Sequence, residues 1–442
     1  MNLRNLARAS AAAATLLAGL IPVDAVTAAA TPAKSTFTWW TWTSNPQNVI
    51  ANFEKAYPNI SIPAPPDYGV GGPFYSKLTT ALAGGTGPCV TQIEFDHLPQ
   101  YIGGHDLVNI AQYASVYKSD YPAWTWGQVS SGGAVYALPE DIGPMGLLYQ
   151  PGVLKKYNLP VPTTWAVFGS DAVALHKADP SMYLTYFPSN EGDWLESMFW
   201  QAGAYPYQLE ANGTWKIDVD GPIEQEVLGF WGKLINEGAI AADQDFTADW
   251  GHRISTDRYA AIIGAAWSPT AEVVSYLPAG STQEWAVAQL PQWTAGGHAA
   301  ANWGGSTNAV TKDCPSSDVK AAALFAGYIN TSKSGLTIDE KPDTPAAGGR
   351  GLFPAAAARA SVAQFSVPIP HFMGNINAQF SQFAAEVPTN FQWSPWDTEF
   401  GNFVTTQLAA AVAGKESWSQ VLTTTQSQLV SYAQSAGYSV AG

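Results

Sequence analysis

The chain has 442 residues and a formal net charge of −15, with 20 Lys and Arg against 35 Asp and Glu. An acidic chain without a basic cluster is a poor partner for nucleic acid or an anionic membrane surface. Only 12% of residues are charged while Trp alone counts 18, which suits a soluble protein with an aromatic-lined site for neutral ligands. Trp is also common in cores and in glycosidases, so composition alone separates little.

Met1 to Ala30 reads as a secretion signal. Arg4 and Arg8 supply a positive start, Ala9 to Ile21 an apolar core, and Ala28-Ala29-Ala30 a small-residue cleavage site. The apolar core is too short to span a bilayer. No Cys lies near the end of the signal, so no lipoprotein anchor is expected. Export to the periplasm or the medium follows. Removing Arg4, Arg8 and Asp24 with the signal moves the net charge from −15 to −16. The rest of the chain is too long for one comfortable core, and two lobes are expected. Two cysteines in an exported chain suggest one disulfide, Cys89 to Cys314, with two buried thiols as the alternative.

Thr36 to Ser44 is a strand, and alternation puts Trp40 and Trp42 on one face with Trp39 on the other. Asn45 to Tyr57 carries Val49, Ile50, Phe53 and Tyr57 at helical spacing, and Pro58 ends the helix. A helix over Tyr75 to Ala83 stops at Gly84-Gly85. Val90 to Phe95 is a strand, with Glu94 and Asp96 at its carboxyl end, where open α/β sheets bind ligands.

Val135 to Leu138 and Met145 to Tyr149 are two apolar runs, read as strands. Between them Pro139-Glu140-Asp141-Ile142-Gly143-Pro144 stays extended, because proline removes a ladder donor and biases its neighbours away from helix. A chain crossing between two lobes would look like this, and so would a loop within one sheet. Tyr183 to Tyr186 is a strand, and Glu191-Gly192-Asp193-Trp194 leads into a helix. Glu210 to Val219 is a hairpin turning at Asn212-Gly213. Ile223 to Ile235 is helical. Tyr259 to Trp267 is a buried strand, Trp285 to Leu290 another, and Asn302-Trp303-Gly304-Gly305-Ser306 enters a strand at Asn308 to Val310. The Gly-Gly pair is no phosphate loop, since neither Lys-Ser nor Lys-Thr follows it. Ser317 to Ile329 is a helix, Thr337 to Gly351 a loop, Gln379 to Val387 a helix, and Phe400 to Ala413 and Trp418 to Ala436 are two terminal helices.

The stretch Gly132 to Trp165 carries a resemblance. Its apolar strand, Pro-x-Asp, Gly-Pro pair, Leu-Leu-Tyr, short helix and Pro-Thr-Thr-Trp, in that order, resemble the first interlobe crossing of carbohydrate-binding proteins of ABC importers, the extracellular solute-binding proteins of the maltose-binding type. The opening strand followed by a helix ending in Tyr-Pro-x-Ile is similar too, as are Gly-Ala-Ala-Trp at Trp267 and the helical ending. The resemblance implies an α/β, two-lobed periplasmic-binding-protein fold, each lobe a mixed, mainly parallel sheet flanked by helices, with a hinge between. It divides the mature chain into a first lobe of 31–139 and 304–350 and a second lobe of 140–303 and 351–442.

The same resemblance assigns ligand-binding roles. Trp42 and Ser44 lie where the first strand opens into the cleft, and Asp96 accepts sugar hydroxyls, with Glu94 beside it. Asp141 sits at the crossing. Asp193 and Trp194 form the second-lobe binding loop, with Trp194 as a stacking platform. Trp267 stacks on sugar, Asn302 and Trp303 line the cleft, and Trp393 or Trp396 approaches from the second lobe. A neutral sugar or oligosaccharide would be captured by hinge closure and delivered to an ABC transporter permease. Members of the family are usually monomers. Cys89 and Cys314 would both fall in the first lobe; the family usually has Asp at the place of Cys89. No cofactor is expected, and no His-x-x-x-His pair or other metal spacing occurs. No Gly-x-Ser-x-Gly elbow occurs either. A glycosidase with paired carboxylates, a lyase, or a binder of a polyamine or peptide are the other readings.

Overall fold

The computed structural model describes residues 34–69, 72–342 and 349–441. The expected secretion signal at 1–30 lies outside them. Among the described residues, no helix is long and apolar enough to cross a membrane.

Two sheets organise the chain. The first has four strands in the order Trp39–Trp40, Val90–Glu94, Ser306–Val310 and Ala137–Pro139. The second has three, with Met145–Tyr149 between Ala261–Ala265 and Ala286–Ala288. The α/β class holds, but the strand directions are more mixed than the expected mainly parallel sheets. In the first sheet only Trp39–Trp40 runs parallel to its neighbour Val90–Glu94, and in the second both pairings are antiparallel. The reason is the route of the chain. Ser306–Val310 enters the first sheet from the linking segment, next to where Ala137–Pro139 leaves it, so it runs against both neighbours.

The periodic segments form the expected helices. Pro46–Ala56 buries Val49, Ile50 and Phe53, and its N1 proline gives up no needed donor. The last helix, Trp418–Ser435, starts with a full capping box between Ser417 and Gln420. The hairpin forms as Tyr207–Leu209 against Trp215–Ile217, with Gly213 at positive φ in its turn. The expected loop after Thr337 begins later, because Ser332 caps a helix over Lys333–Asp339. The strand expected at Tyr183 to Tyr186 sits further on, at Tyr186–Pro188.

Buried apolar residues fall into two clusters. One covers the first sheet, includes Leu148, Ile262 and Val287 from one face of the second, and takes in Phe353 to Trp393; the other covers the opposite face of the second sheet, with Leu147, Ile263 and Ala265, and takes in Trp396 to Ala433. The two cysteines are joined, Cys89 to Cys314, beside the end of the Val90–Glu94 and Ser306–Val310 ladder.

Candidate functional site

Three extended segments run side by side between the sheets. The Glu140 N–H donates to the Ser306 carbonyl (2.8 Å), Trp303 N–H to Gly143 (2.8 Å), Ile142 N–H to Phe353 (3.0 Å) and Ala355 N–H to Glu140 (2.9 Å). Gly143 and Gly305 are required by this closeness. A Cβ at Gly143 would run into the Trp303 carbonyl, and Gly305 has φ +96° with the Asp141 carbonyl against it.

Glu140 is wholly buried at this crossing and fully partnered. It accepts from Gln92 Nε2 (2.5 Å), Ser306 Oγ (2.8 Å) and Asn308 Nδ2 (2.7 Å), and it pairs with Arg350. Arg350 also donates to Asp339 (2.9 Å) and Thr43 (3.1 Å). Glu140 itself has no free valence for a ligand. It fixes the crossing instead.

Three expected cleft residues belong to the crossing rather than to an open wall. Asp141 accepts from the Ser306 N–H (2.8 Å) and from its hydroxyl. Burial and the neighbouring Glu140 push its carboxyl up to about 6. Asn302, 1% exposed, accepts from Gly143 N–H (2.9 Å) and donates to the Gly304 carbonyl (2.8 Å). Trp303 is 4% exposed and packs on Trp267 with ring centroids 4.7 Å apart. Two further expectations are corrected outright. Trp194 donates its indole N–H to the Ile263 carbonyl (3.0 Å) and packs edge-on against Trp231, and Trp396 is enclosed by Trp215, Tyr207 and Tyr438. Both are core, because each finds large aromatic partners from remote segments. Trp393 is likewise buried, against Trp200.

Of the remaining expected residues, Trp42, Ser44, Glu94, Asp193 and Trp267 are half-buried and Asp96 is buried. Trp42 is half-buried, edge-on to Phe74 and Tyr75, and its N–H donates to Gln92 (3.2 Å); Ser44 is half-buried beside it. Tyr75 donates to Glu94 (2.9 Å) and stacks on His97, centroids 3.8 Å apart. Asp96 lies 2.5 Å from His97 Nδ1. Burial opposes a charged His97, but Asp96 outweighs it and holds the imidazole up at about 9. Burial and then Asp96 push Glu94 up to about 8. Asp193 opens the helix Gly192–Gln201, and burial and Asp96 push it up to about 7. An arc of carboxyl groups continues through Glu191 and Asp245, both raised chiefly by burial, to about 10 and about 7. Next to Asp245, Phe246 is 48% exposed at positive φ and faces the half-buried Trp267, centroids 6.3 Å apart. Trp267 donates to the Trp303 carbonyl (3.3 Å), which fixes the plane of its ring.

Sequence reasoning missed Tyr75, His97, Asp245 and Phe246. His97 follows directly on Asp96, and that adjacency was a usable signal; the others join the arc only through the fold. A cavity of about 410 Å³, lined by Pro99 and Ile102 just beyond His97 and by Leu209, Phe391 and Trp393, includes no carboxylate.

Carboxylates raised by burial set a pH dependence. Burial pushes Asp339 and Glu224 up to about 7 and Glu340 to about 8, against roughly 4 in an unfolded chain. Between these values the folded state binds more protons than the unfolded one, so stability falls as pH rises from about 4 to about 8. Thermal unfolding is expected at a higher temperature at pH 5 than at pH 8. The opposite order would mean that these groups are compensated in the folded state.

The family model described as bacterial extracellular solute-binding protein matches residues 8–335. No curated protein matches the chain in sequence. Among solved structures, the ABC transporter associated binding protein from B. animalis subsp. lactis Bl-04, in complex with beta-1,6-galactobiose, is 27% identical with TM-score 0.77, covering 93% of this chain and 100% of that one. The galacto-N-biose-/lacto-N-biose I-binding protein of the ABC transporter from Bifidobacterium longum is 22% identical with TM-score 0.79, covering 92% and 98%. The sugar-binding protein MalE from Xanthomonas citri is 18% identical with TM-score 0.73, covering 91% and 98%. The fold shared with these structures is the periplasmic-binding-protein fold, and by the family match over most of its length the chain belongs to the bacterial extracellular solute-binding proteins.

Proposed function

We propose that this chain captures a neutral sugar or oligosaccharide between two lobes, closes over it about the segments at 140–144 and 301–306, and delivers it to an ABC transporter permease outside the cytoplasm. The observation that carries the reading is Trp267. Its half-buried ring is held by one hydrogen bond at the end of a strand, beside Phe246, with the acceptor arc Asp245, Glu191, Asp193 and Asp96 running on from it. A sugar has apolar C–H faces that stack on such a ring. Its rim of hydroxyls donates to carboxylates, which accept several hydrogen bonds each. Solute touching both lobes favours the closed form by its differential affinity. Neighbours in the fold whose own ligands are sugars support the same reading. Trp42 and Ser44 are proposed to contribute from the first lobe.

Calorimetric titration of the mature chain with a panel of neutral oligosaccharides tests this. A saturable one-to-one isotherm with sugar recovered intact is expected; turnover would indicate an enzyme. Trp267→Ala is expected to weaken binding by about 1–3 kcal/mol, by analogy with aromatic stacking on bases. Unchanged affinity would remove Trp267 from the site. The excess of carboxylates over cations in the arc favours a second reading, a cationic solute such as a polyamine. A polyamine response with silence across the sugars would select it.

A further inference from the structure

A second cavity, of about 350 Å³, lies beside the crossing, and neither Trp267 nor any carboxylate of the arc is among its walls. Small-molecule sites usually run from about 300 to 1,000 Å³, mostly apolar with a few polar groups. Separate parts of the chain build this one. Glu340 follows the helix Lys333–Asp339, Phe353 lies in the run that bonds to the crossing at Ile142, and Thr270 and Val274 follow the strand Ala261–Ala265. Val367-Pro368-Ile369-Pro370 supplies a further apolar wall. Its two prolines remove two backbone donors, so this run joins no ladder and leaves the space open.

Glu340 is the one charged residue on these walls. Both of its carboxylate oxygens are buried, and neither has a hydrogen-bond partner. The cations nearby are spent elsewhere. Arg350 binds the preceding residue, Asp339 (2.9 Å). Arg359 acts on Glu340 only through space. Its guanidinium donates to the Pro354 (3.2 Å), Ala355 (3.3 Å) and Ala356 (3.2 Å) carbonyls and lies over the Phe353 ring, 4.8 Å from its centroid. Burial outweighs that distant help and pushes the Glu340 carboxyl up to about 8. A buried carboxylate without a donor is costly, and an occupant that serves both oxygens removes the cost. An ammonium head has three N–H donors, no acceptor and a balancing charge. A hydroxyl has one donor and no charge, and an anion would be repelled. We propose that this cavity binds a small organic cation, an amine on an apolar alkyl or aryl body, with Glu340 recognising its head and the Phe353, Val274 and Ile369 walls taking its body.

The test uses the full exported chain, free of sugar, at about pH 8.5. There Glu340 is mostly ionised, and an alkylamine, with a pKa of roughly 10.4 by analogy with lysine, is still charged. Hexylamine, hexanol and hexanoate are each titrated by calorimetry. Saturable one-to-one binding of hexylamine is expected, with hexanol weaker by about tenfold or more, the scale of a hydrogen bond to a charged group, and hexanoate silent. Glu340→Gln is expected to remove the preference for amine over alcohol. Its unfolding temperature is expected to be unchanged or higher, because an unpartnered buried charge goes with the substitution. Val367→Trp fills the cavity from a position 48% exposed and is expected to weaken amine and alcohol alike; it serves if Glu340→Gln fails to fold. No hexylamine binding up to about 10 mM would overturn the inference, and so would equal hexylamine affinity in folded Glu340→Gln. Hexylamine binding that survives in Glu340→Gln but falls in Trp267→Ala would place the amine in the arc, which overturns this site and favours the cationic-solute reading. Because no sugar enters the titration, failure here leaves the sugar reading standing.

Discussion

Arg350→Met is expected to destabilise the protein by about 3–5 kcal/mol, the cost of breaking a buried ion pair by removing one partner. Arg350 is wholly buried and joins Glu140 and Asp339, while also donating to Thr43. Burial disfavours its charge, but the two carboxylates outweigh that and raise its pKa. Without it, Glu140 keeps Gln92, Ser306 and Asn308 as donors, but Asp339 loses its cation, and one of its oxygens already lacks a partner. The consequence reaches the site, because Glu140 and Ser306 define the crossing between the sheets. Chemical unfolding of the variant against the parent measures the loss. The triple variant Arg350→Met, Glu140→Gln, Asp339→Asn is expected to recover much of it, since the uncompensated charges go together. A single variant within about 1 kcal/mol of the parent, the scale of an exposed pair, would show that the network is not a support of the fold.

The sequence exposed whatever is written locally. The helix Pro46–Ala56 was legible from Val49, Ile50 and Phe53, and the hairpin from Asn212-Gly213. The extended run at 139–144 was legible from its prolines, but local sequence left open whether it joined two sheets or lay within one. What the crossing residues do was not. Glu140 and Asp141 look alike in the chain, yet Glu140 is saturated by residues 48, 168 and 210 positions away. Asn302 satisfies Gly143 across 159 residues. The tryptophans fail as predictors for the same reason. Trp194, Trp267 and Trp396 each follow or precede small or polar residues, and only Trp231 and Trp215, far along the chain, decide that the first and last are core.

Removing the disulfide by Cys89→Ala with Cys314→Ala is expected to lower stability by about 2–5 kcal/mol, the usual range for a native bridge. The bond closes a loop with a sequence separation of 225. That loop contains the strand Val90–Glu94, both crossings and the whole second sheet, so the constraint acts on most of the unfolded chain. Its native setting is already ordered. The Thr311 N–H donates to the Cys89 carbonyl (3.0 Å), and Val90 pairs with Val310 immediately beyond. The bridge therefore adds little new geometry to the folded state, and its effect lies in the entropy of the unfolded one. Two measurements follow from that. Thermal unfolding of the double variant is expected at a lower temperature, and the parent under reducing conditions is expected to move toward it. Solute affinity of the folded variant is expected to be unchanged, since both cysteines are buried in the first core and neither touches Trp267 or the acceptor arc. A double variant as stable as the parent would place the stabilisation in the strand ladder alone, and an altered affinity would show that the bridge also sets the positions of Glu94 and Asp96 at the far end of its strand.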